Sequence, residues 1–247
     1  MLSIIICTRD PKRFETVEGH YNRLLAGSAY EIIRMDNPRS LAGGYNEGID
    51  KARGEHLIFS HDDVEPLCDD FFQRLHQHLQ QFDLVGLAGT NKLINGFWGA
   101  ACYPYIFGQV AYPNADSPGY AASIFNCPVA VVGGIQAFDG LFFAVRRQVV
   151  EKVRFDPVTF DGFHLYDLDF SFASFLAGFK LGVACDMPVI HTSPGKIDTI
   201  WQGYAERFDA KYQGKTATGP LRAFAFSGVW VVTRQELVEV MRPPWMR

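Results

Sequence analysis

The sequence predicts an α/β fold with an open, mostly parallel sheet and helices on both of its faces. Apolar runs short enough to be strands alternate with helical segments over the first ninety residues. This strand–helix–strand order predicts parallel neighbouring strands, because each helix carries the chain back to the starting edge of the sheet. With 247 residues and 48% hydrophobic content, the chain can bury one sizeable core.

The first two strands and helices follow from local patterns. The run Ser3–Cys7 is rich in Ile, which is typical of a strand buried on both faces. Apolar residues at spacings of three and four then predict a helix, and Tyr30–Met35 is the second predicted strand. Ser40 is a suitable N-cap for a second helix, which Gly54 would end.

The segment His61, Asp62 and Asp63, here called the acidic cluster, follows the third predicted strand, His56–Phe59. Adjacent carboxylates repel each other and are costly to desolvate, so a buried strand has no structural need of them. One of the two aspartates could cap a helix expected to begin near Leu67. A divalent cation would instead offset their repulsion. The cluster alone does not decide between these two roles.

The ends of the neighbouring strands favour the metal site. Thr8 and Arg9 follow the first predicted strand, and Asp36 follows the second. In open parallel sheets, ligands bind at the carboxyl ends of the strands. Polar groups at three such ends therefore indicate a ligand site at this edge of the sheet.

The second half of the chain begins with a different composition. The segment Asn91–Cys127 is rich in Gly, Pro and aromatic residues and predicts short strands and loops inserted in the domain. Further strands are expected at Val129–Val132 and Gly140–Val145, with a turn between them that places Asp139 beside Gly140. We expect this β-rich insertion to border the ligand site.

A second acidic segment precedes the next predicted helix. Asp167 and Asp169 lie at or near its N-terminus, and Gly178 would end it. Acidic residues there complement the helix dipole, which is a purely structural role. One carboxylate suffices for that role, however, and this segment has two, with Tyr166 and His164 close by.

The remaining elements are expected to pack around this framework. They are strands at Leu181–Cys185 and Val189–Ser193, a helix over Ile197–Phe208, and a last helix that begins with the capping-box pair Thr233 and Glu236 and ends at Pro243–Pro244.

Composition narrows the class of protein. A net charge of -4 argues against a protein that wraps nucleic acid. Five cysteines without a C-x-x-C pair indicate reduced thiols in a cytoplasmic protein.

No run approaches the roughly 18 apolar residues of a membrane span, and Met1–Cys7 is too short for a signal peptide. The basic, aromatic tail Met241–Arg247 leaves peripheral membrane contact open, with a floppy terminus as the alternative.

Together these segments resemble the family 2 glycosyltransferases, which have the GT-A fold. The resemblance runs from about Ser3 to Ser193. It rests on Ser3–Arg9, Gly44–Ile49 with Ala52–Gly54, Leu57–Val64, the turn Asp139–Gly140, and Tyr166–Asp169. It implies a GT-A domain over residues 1–195, with a nucleotide-sugar-binding half (1–90) and an acceptor and catalytic half (91–195), followed by a C-terminal helical and strand extension (196–247).

The resemblance also implies roles for individual residues. It assigns donor binding to Thr8, Arg9, Asp36, Asn46, His61 and Asp62. Asp63 matches the last carboxylate of the family's Asp-x-Asp motif and would hold Mn²⁺ or Mg²⁺ on the donor diphosphate. His61 stands where the family usually has the first aspartate, which leaves open the group that contacts the ribose. His191 resembles the late histidine that completes the metal site in some GT-A enzymes, although a lone histidine is more often bonded to nearby backbone.

Asp167 matches the catalytic base of inverting members, and Asp169 follows it on the same helix. The resemblance therefore implies metal-dependent, inverting transfer from a nucleotide-sugar (UDP-, dTDP- or GDP-linked) to a saccharide or lipid-linked acceptor. A cytoplasmic role in bacterial surface polysaccharide assembly, at or near the inner face of the membrane, follows by analogy.

Other functions have weaker support. A sugar nucleotidyltransferase would have a glycine-rich loop after the first strand, and Cys7–Pro11 contains no glycine. A P-loop kinase or ATPase would need a G-x-x-x-x-G-K-[ST] motif, which the sequence lacks. An inactive nucleotide- or carbohydrate-binding module of the same fold remains as the non-enzymatic alternative.

Overall fold

The computed structural model describes residues 1–114, 118–193, 195–219, 228–243 and 245. In chain order, the elements within these residues are β1 (Leu2–Thr8), α1 (Pro11–Leu24), β2 (Tyr30–Asp36), α2 (Leu41–Lys51), β3 (His56–Ser60), β4 (Val64–Pro66), α3 (Phe71–His78), β5 (Leu84–Gly86), β6 (Ala88–Thr90), a 3₁₀ turn (Trp98–Ala101), β7 (Ile106–Pro113), β8 (Tyr120–Ile124), β9 (Val131–Gly133), β10 (Ala137–Phe138), β11 (Phe142–Arg146), α4 (Arg147–Lys152), α5 (Tyr166–Leu176), β12 (Leu181–Ala184), β13 (Val189–His191), α6 (Thr199–Lys211), β14 (Gly228–Val231) and α7 (Arg234–Val240).

The first sheet has the strand order β2-β1-β3-β11-β5-β12-β9. Strands β1, β2, β3, β5 and β12 run in one direction, while β11 and β9 are antiparallel to their neighbours. This arrangement confirms the predicted open, mostly parallel sheet.

Helices cover both faces of this sheet, as predicted. Ile4 and Ile6 pack in one core cluster with Phe14 and Val17 of α1. Ile5, between them, packs in the other cluster with residues of α2. Successive strand residues point to opposite faces, so the Ile-rich run of β1 is buried from both sides.

Helices α2 and α7 are capped at their N-termini as the local sequence predicts. Ser40 accepts a hydrogen bond from the Gly43 amide at 3.1 Å and caps α2. Thr233 and Glu236 form the predicted capping box at the start of α7. Pro244, which was predicted to end the last helix together with Pro243, lies outside the described residues. Met246 and Arg247 of the basic, aromatic tail do so as well.

A second sheet contains much of the predicted β-rich insertion. Its order is β10-β6-β7-β13-β4, with β8 paired to β7 and β14 paired to β8. Strand β4 was not predicted: it follows the acidic cluster directly and pairs antiparallel with β13, with Val64 opposite His191. This pairing brings the later strand back to the acidic cluster.

The capping role considered for the acidic cluster is wrong. Helix α3 begins at Phe71, not near Leu67, and its N-cap residue is Asp70. Strand β4 separates Asp62 and Asp63 from that helix, so neither carboxylate can reach its first amides. Among the helices of the described residues, none combines the length and apolar character that a membrane span requires.

Candidate active site

The acidic cluster is held in place by backbone contacts at the end of β3. The amide of His61 donates to the carbonyl of Leu141 at 3.0 Å, and the amide of Thr192 donates to the carbonyl of Asp63 at 3.1 Å. The loop is therefore fixed between the start of β11 and the end of β13. Its side chains gain a defined orientation from these backbone bonds.

Three side chains at the ends of β3 and β13 place potential cation ligands close together: those of His61, Asp63 and His191. One potential ligand atom from each residue lies within 4.8 Å of the others. His191 Nε2 is 3.2 Å from Asp63 Oδ1 and 3.2 Å from His61 Nδ1. The side chains of Asp63 and His191 are only 4% and 8% exposed.

The protonation states of this group suit a cation. Burial alone would raise the pKa of Asp63, but hydrogen bonds from His191 and Ser193 hold its pKa well below the ordinary value. Burial, and then the neighbouring His191, lower the pKa of His61 to about 4, so its imidazole is neutral at pH 7. A carboxylate and a neutral imidazole are ligands of divalent transition metals. The donor set therefore fits a divalent cation.

A cavity of about 290 Å³, the strand-end cavity, opens beside this group at the ends of β1 and β3. Asp62 lies in it and accepts from Thr8 Oγ1 at 2.5 Å. Arg9 lies over the ring of Phe163, 4.1 Å from its centroid. Arg13 of α1 also lines the cavity, with Nη1 3.7 Å from Asp63 Oδ2. The cavity therefore offers two guanidinium groups beside the carboxylates.

A second cavity of about 290 Å³, the aromatic cavity, adjoins the first. His61 and Phe163 line both cavities. The other rings of the aromatic cavity include Phe97, Trp98, Tyr112, Phe125 and Trp201. Most of these rings come from the predicted insertion, and Trp201 comes from α6.

Asp167 lies in the aromatic cavity, on the first turn of α5. Burial raises its pKa to about 7, with a further contribution from the negative charge of Asp139. Asp139 lines the same cavity and accepts from Trp98 Nε1 at 3.0 Å and from the Leu141 amide at 3.1 Å. These two bonds fix the Asp139 carboxylate in the wall of the cavity.

Gly140 allows Asp167 to approach this turn. A Cβ atom at Gly140 would lie 2.7 Å from Asp167 Cβ and would overlap the hydroxyl of Tyr166. Real Cβ atoms essentially never approach other heavy atoms this closely. The Asp139–Gly140 turn noted in the sequence thus forms part of the cavity wall.

Two predicted site residues lie elsewhere. Asp169 is 1% exposed and accepts from Tyr212 Oη at 2.8 Å, with Lys211 Nζ at 2.7 Å. Its carboxylate ties α5 to α6, so the structure does not bring it to either cavity. Asn46 is also outside both cavities: its amide donates to the Phe155 carbonyl at 2.9 Å and accepts from the Phe155 amide.

Asp36 lies beside the strand-end cavity but does not line it. It ends β2 opposite Thr8 in the register with β1, at the same edge of the sheet as the strand-end cavity. Its side chain is 57% exposed and pairs with Arg34 at 2.7 Å. The structure thus leaves this carboxylate accessible beside the cavity.

Arg13 and Trp98 are functional candidates that the sequence analysis missed. Arg13 looked like one of several charged residues on an exposed helix, and Trp98 like one of many aromatic residues in the insertion. Asp139 was noted in its turn but given no role. The signal for Asp139 was a carboxylate beside a glycine at the start of a strand, which is too common a pattern to identify a site.

Comparison with known proteins gives matches at the level of family and fold. The model of a glycosyltransferase-like family matches residues 3–213. A mannosyltransferase from Pyrobaculum calidifontis, PcManGT, solved with GDP-Man and Mn²⁺, has a TM-score of 0.54 at 12% identity. The alignment covers 87% of this chain and 65% of that chain. This likeness confirms the predicted GT-A fold.

GalNAc-T7, solved with UDP, GalNAc and Mn²⁺, aligns at 13% identity with a TM-score of 0.48. The alignment covers 78% of this chain and 44% of that chain. The present chain therefore spans less than two thirds of the length of each of these two proteins. A comparison with curated proteins finds no match.

Proposed function

The chain belongs to the glycosyltransferase-like family, and we propose that it transfers a sugar from a nucleotide-sugar to a hydroxyl acceptor, with inversion, using a divalent cation. One observation carries this proposal. A cation-ligand set of His61, Asp63 and His191 lies where the two cavities meet, and the aromatic cavity is also lined by Asp167, a carboxylate suited to act as a base.

His61, Asp63 and His191 would hold the cation. Their two imidazoles and one carboxylate favour Mn²⁺ over Mg²⁺, because imidazole nitrogen is a better ligand for the transition metal. When bound, the cation would supply positive charge to offset the charge of the departing diphosphate. Asp63 is ionised and His61 is neutral, so neither has to lose a proton before it binds the cation.

We assign the donor to the strand-end cavity. Thr8 and Asp62 form a polar wall there, and Arg9 and Arg13 supply positive charge for a diphosphate. Asp36 lies exposed at the same sheet edge, and we assign it to contact with the base of the nucleotide. Asn46 has no place in this assignment, because its amide already bonds the Phe155 backbone.

We assign the acceptor to the aromatic cavity. Aromatic rings pack well against the apolar faces of sugars, so a saccharide or lipid-linked saccharide suits this lining. Asp167 is the base in this proposal. Its pKa of about 7 lets it accept the proton that the acceptor hydroxyl loses as the new glycosidic bond forms. Attack from the side opposite the diphosphate would give inversion.

The main alternative is a binding module that has the fold and no activity. A panel of UDP-, dTDP- and GDP-sugars, measured by thermal shift with and without Mn²⁺, would identify the donor. The selected donor is then incubated with Mn²⁺, and release of its nucleoside diphosphate is followed. Stabilisation without slow hydrolysis or transfer would support the binding module. No Mn²⁺-dependent stabilisation by any donor would overturn the proposed function.

A place in surface polysaccharide synthesis and action at the cytoplasmic face of a membrane rest on family analogy and stay predictions. The basic and aromatic tail is part of that prediction, although its last residues, Met246 and Arg247, are outside the described part of the chain.

A further inference from the structure

The hydroxyl of Tyr166 lies directly behind the cation-ligand set. Its oxygen is 2.8 Å from His61 Nε2 and 3.3 Å from the carbonyl oxygen of Gly140. Tyr166 is 2% exposed and is the first residue of α5, next to Asp167. A Cβ at Gly140 would overlap this hydroxyl, so the glycine is required for the contact. Nothing in the proposed reaction uses Tyr166.

The contact belongs to a row of hydrogen bonds that runs from Asp63 through His191, His61 and Tyr166 to Gly140. Both ends of this row can only accept. The Asp63 carboxylate accepts at one end, and the Gly140 carbonyl accepts at the other. The direction of every bond between them follows from these two ends.

At the Asp63 end, His191 Nε2 must carry its proton, because an unprotonated nitrogen 3.2 Å from a carboxylate oxygen would be repelled. His61 Nδ1 lies 3.2 Å from that same nitrogen. If Nδ1 were also protonated, two N–H groups would point at each other. His61 Nδ1 is therefore unprotonated and presents its lone pair to His191.

At the Gly140 end, the single proton of the Tyr166 hydroxyl is donated to the carbonyl. The hydroxyl oxygen is then free to accept from His61 Nε2–H. The ring proton of His61 thus resides on Nε2, which agrees with the lone pair deduced for Nδ1. The His191 Nε2 proton lies between two acceptors, Asp63 Oδ1 and His61 Nδ1, both 3.2 Å from the nitrogen. No two donors in the row face each other.

We propose that Tyr166 is a positioning residue for the cation site, holding His61 in the tautomer whose Nδ1 lone pair faces Asp63 and His191. This inference rests on the cation site of the proposed function. Outer partners of metal-binding histidines commonly set the tautomer and ring orientation in this way. Because Tyr166 immediately precedes Asp167, the same turn of α5 supports a cation ligand and the proposed base.

The tautomer can be measured directly, without cation or substrate. In ¹⁵N-labelled, metal-free protein at neutral pH, the ring nitrogens of His61 should show a protonated Nε2 and an unprotonated Nδ1. In Tyr166→Phe, which keeps the ring and loses the hydroxyl, this preference should weaken. A protonated Nδ1 in the wild type would overturn the inference.

The second measurement is the affinity for Mn²⁺ alone, followed by electron paramagnetic resonance. Tyr166→Phe should weaken binding by about tenfold or more, the usual effect of losing an outer partner. Tyr212→Phe is the matched control, because it removes a buried phenol hydroxyl that bonds Asp169 on the same helix. Its Mn²⁺ affinity should equal that of the wild type.

The outcomes separate the two proposals. Equal loss in Tyr166→Phe and Tyr212→Phe would indicate a merely structural role and overturn the inference. Unchanged Mn²⁺ affinity in Tyr166→Phe would overturn it as well, while leaving the cation site intact. A wild-type protein that binds no Mn²⁺ would overturn the cation site itself.

Discussion

His191 Nε2 lies 3.2 Å from Asp63 Oδ1, although the two residues come from distant parts of the chain. The contact depends on the antiparallel pairing of β4 with β13, in which Val64 is opposite His191. A register shift of one residue would turn His191 to the other face of the sheet. The pairing register of two three-residue strands therefore decides whether this cation-ligand set exists.

Asp63→Ala should abolish most binding of Mn²⁺. The substitution removes the only charged ligand of the set, so we expect the affinity to fall by more than about 100-fold, beyond the loss for an outer partner. Isothermal titration calorimetry with Mn²⁺ measures this. Asp69→Ala is the control, since the Asp69 side chain is 98% exposed and its removal should leave the affinity unchanged. Binding retained in Asp63→Ala would place the cation elsewhere.

Asp167→Asn should remove transfer while donor binding is kept. Loss of a general base costs about 10²–10⁴-fold in rate, and the strand-end cavity is untouched by the change. Turnover with the identified donor and acceptor gives the rate, and calorimetry with the donor gives the affinity. Unchanged turnover would show that Asp167 is not the base.

Asp169→Asn should lower the stability of the protein and leave turnover nearly unchanged, in contrast to Asp167→Asn. Its carboxylate pairs with Lys211 and accepts from Tyr212 in a buried setting, so neutralising it should lower the melting temperature. Because Asp169 is outside both cavities, turnover of the folded fraction should stay within a few-fold of the wild type. A stable but inactive Asp169→Asn protein would restore the catalytic role predicted from the sequence.

The pH profile should report the state of Asp167. Below its pKa of about 7 the carboxyl is protonated and cannot accept a proton, so kcat/KM should rise with pH through about 7. Asp139→Asn removes a neighbouring negative charge, which lowers the pKa of Asp167. The inflection should then move to lower pH. An inflection that stays in place would show that the charge of Asp139 does not act on the base.

Arg13→Ala should weaken the binding of a nucleoside diphosphate by about tenfold, the value of a charge-assisted hydrogen bond. The affinity for Mn²⁺ alone should not fall, because Arg13 is a cation near Asp63 and competes with the metal. Arg23→Ala, at the other end of α1 with a 59% exposed side chain, is the control. Parallel loss of diphosphate and Mn²⁺ in Arg13→Ala would indicate damage to the site rather than loss of a diphosphate contact.

The sequence by itself predicted the first three strands with their helices, and one edge of the site. Apolar periodicity predicted β1 to β3 and their helices, because burial of one face depends on residues only two to four positions apart. The rule that parallel sheets bind ligands at the carboxyl ends of their strands then drew attention to Thr8, Arg9 and the acidic cluster. All of these residues line the strand-end cavity.

The local sequence pattern could not predict which of Asp167 and Asp169 faces the aromatic cavity. Residues two apart on a helix lie about 200° apart around its axis, so only one of them can face the aromatic cavity. Which one does so depends on the end of α6, where Lys211 and the C-cap residue Tyr212 bond to Asp169. No feature of the segment itself encodes that packing.

The tertiary structure alone decided the partners that come from distant segments. The short strand β4 and its register with β13 join Asp63 to His191, and the turn at Gly140 brings Tyr166 to His61. Local sequence sets which residues form strands, since that choice is made among near neighbours. Which strands pair, and in what register, is decided by the whole core, and the ligand set of this site is a consequence of that pairing.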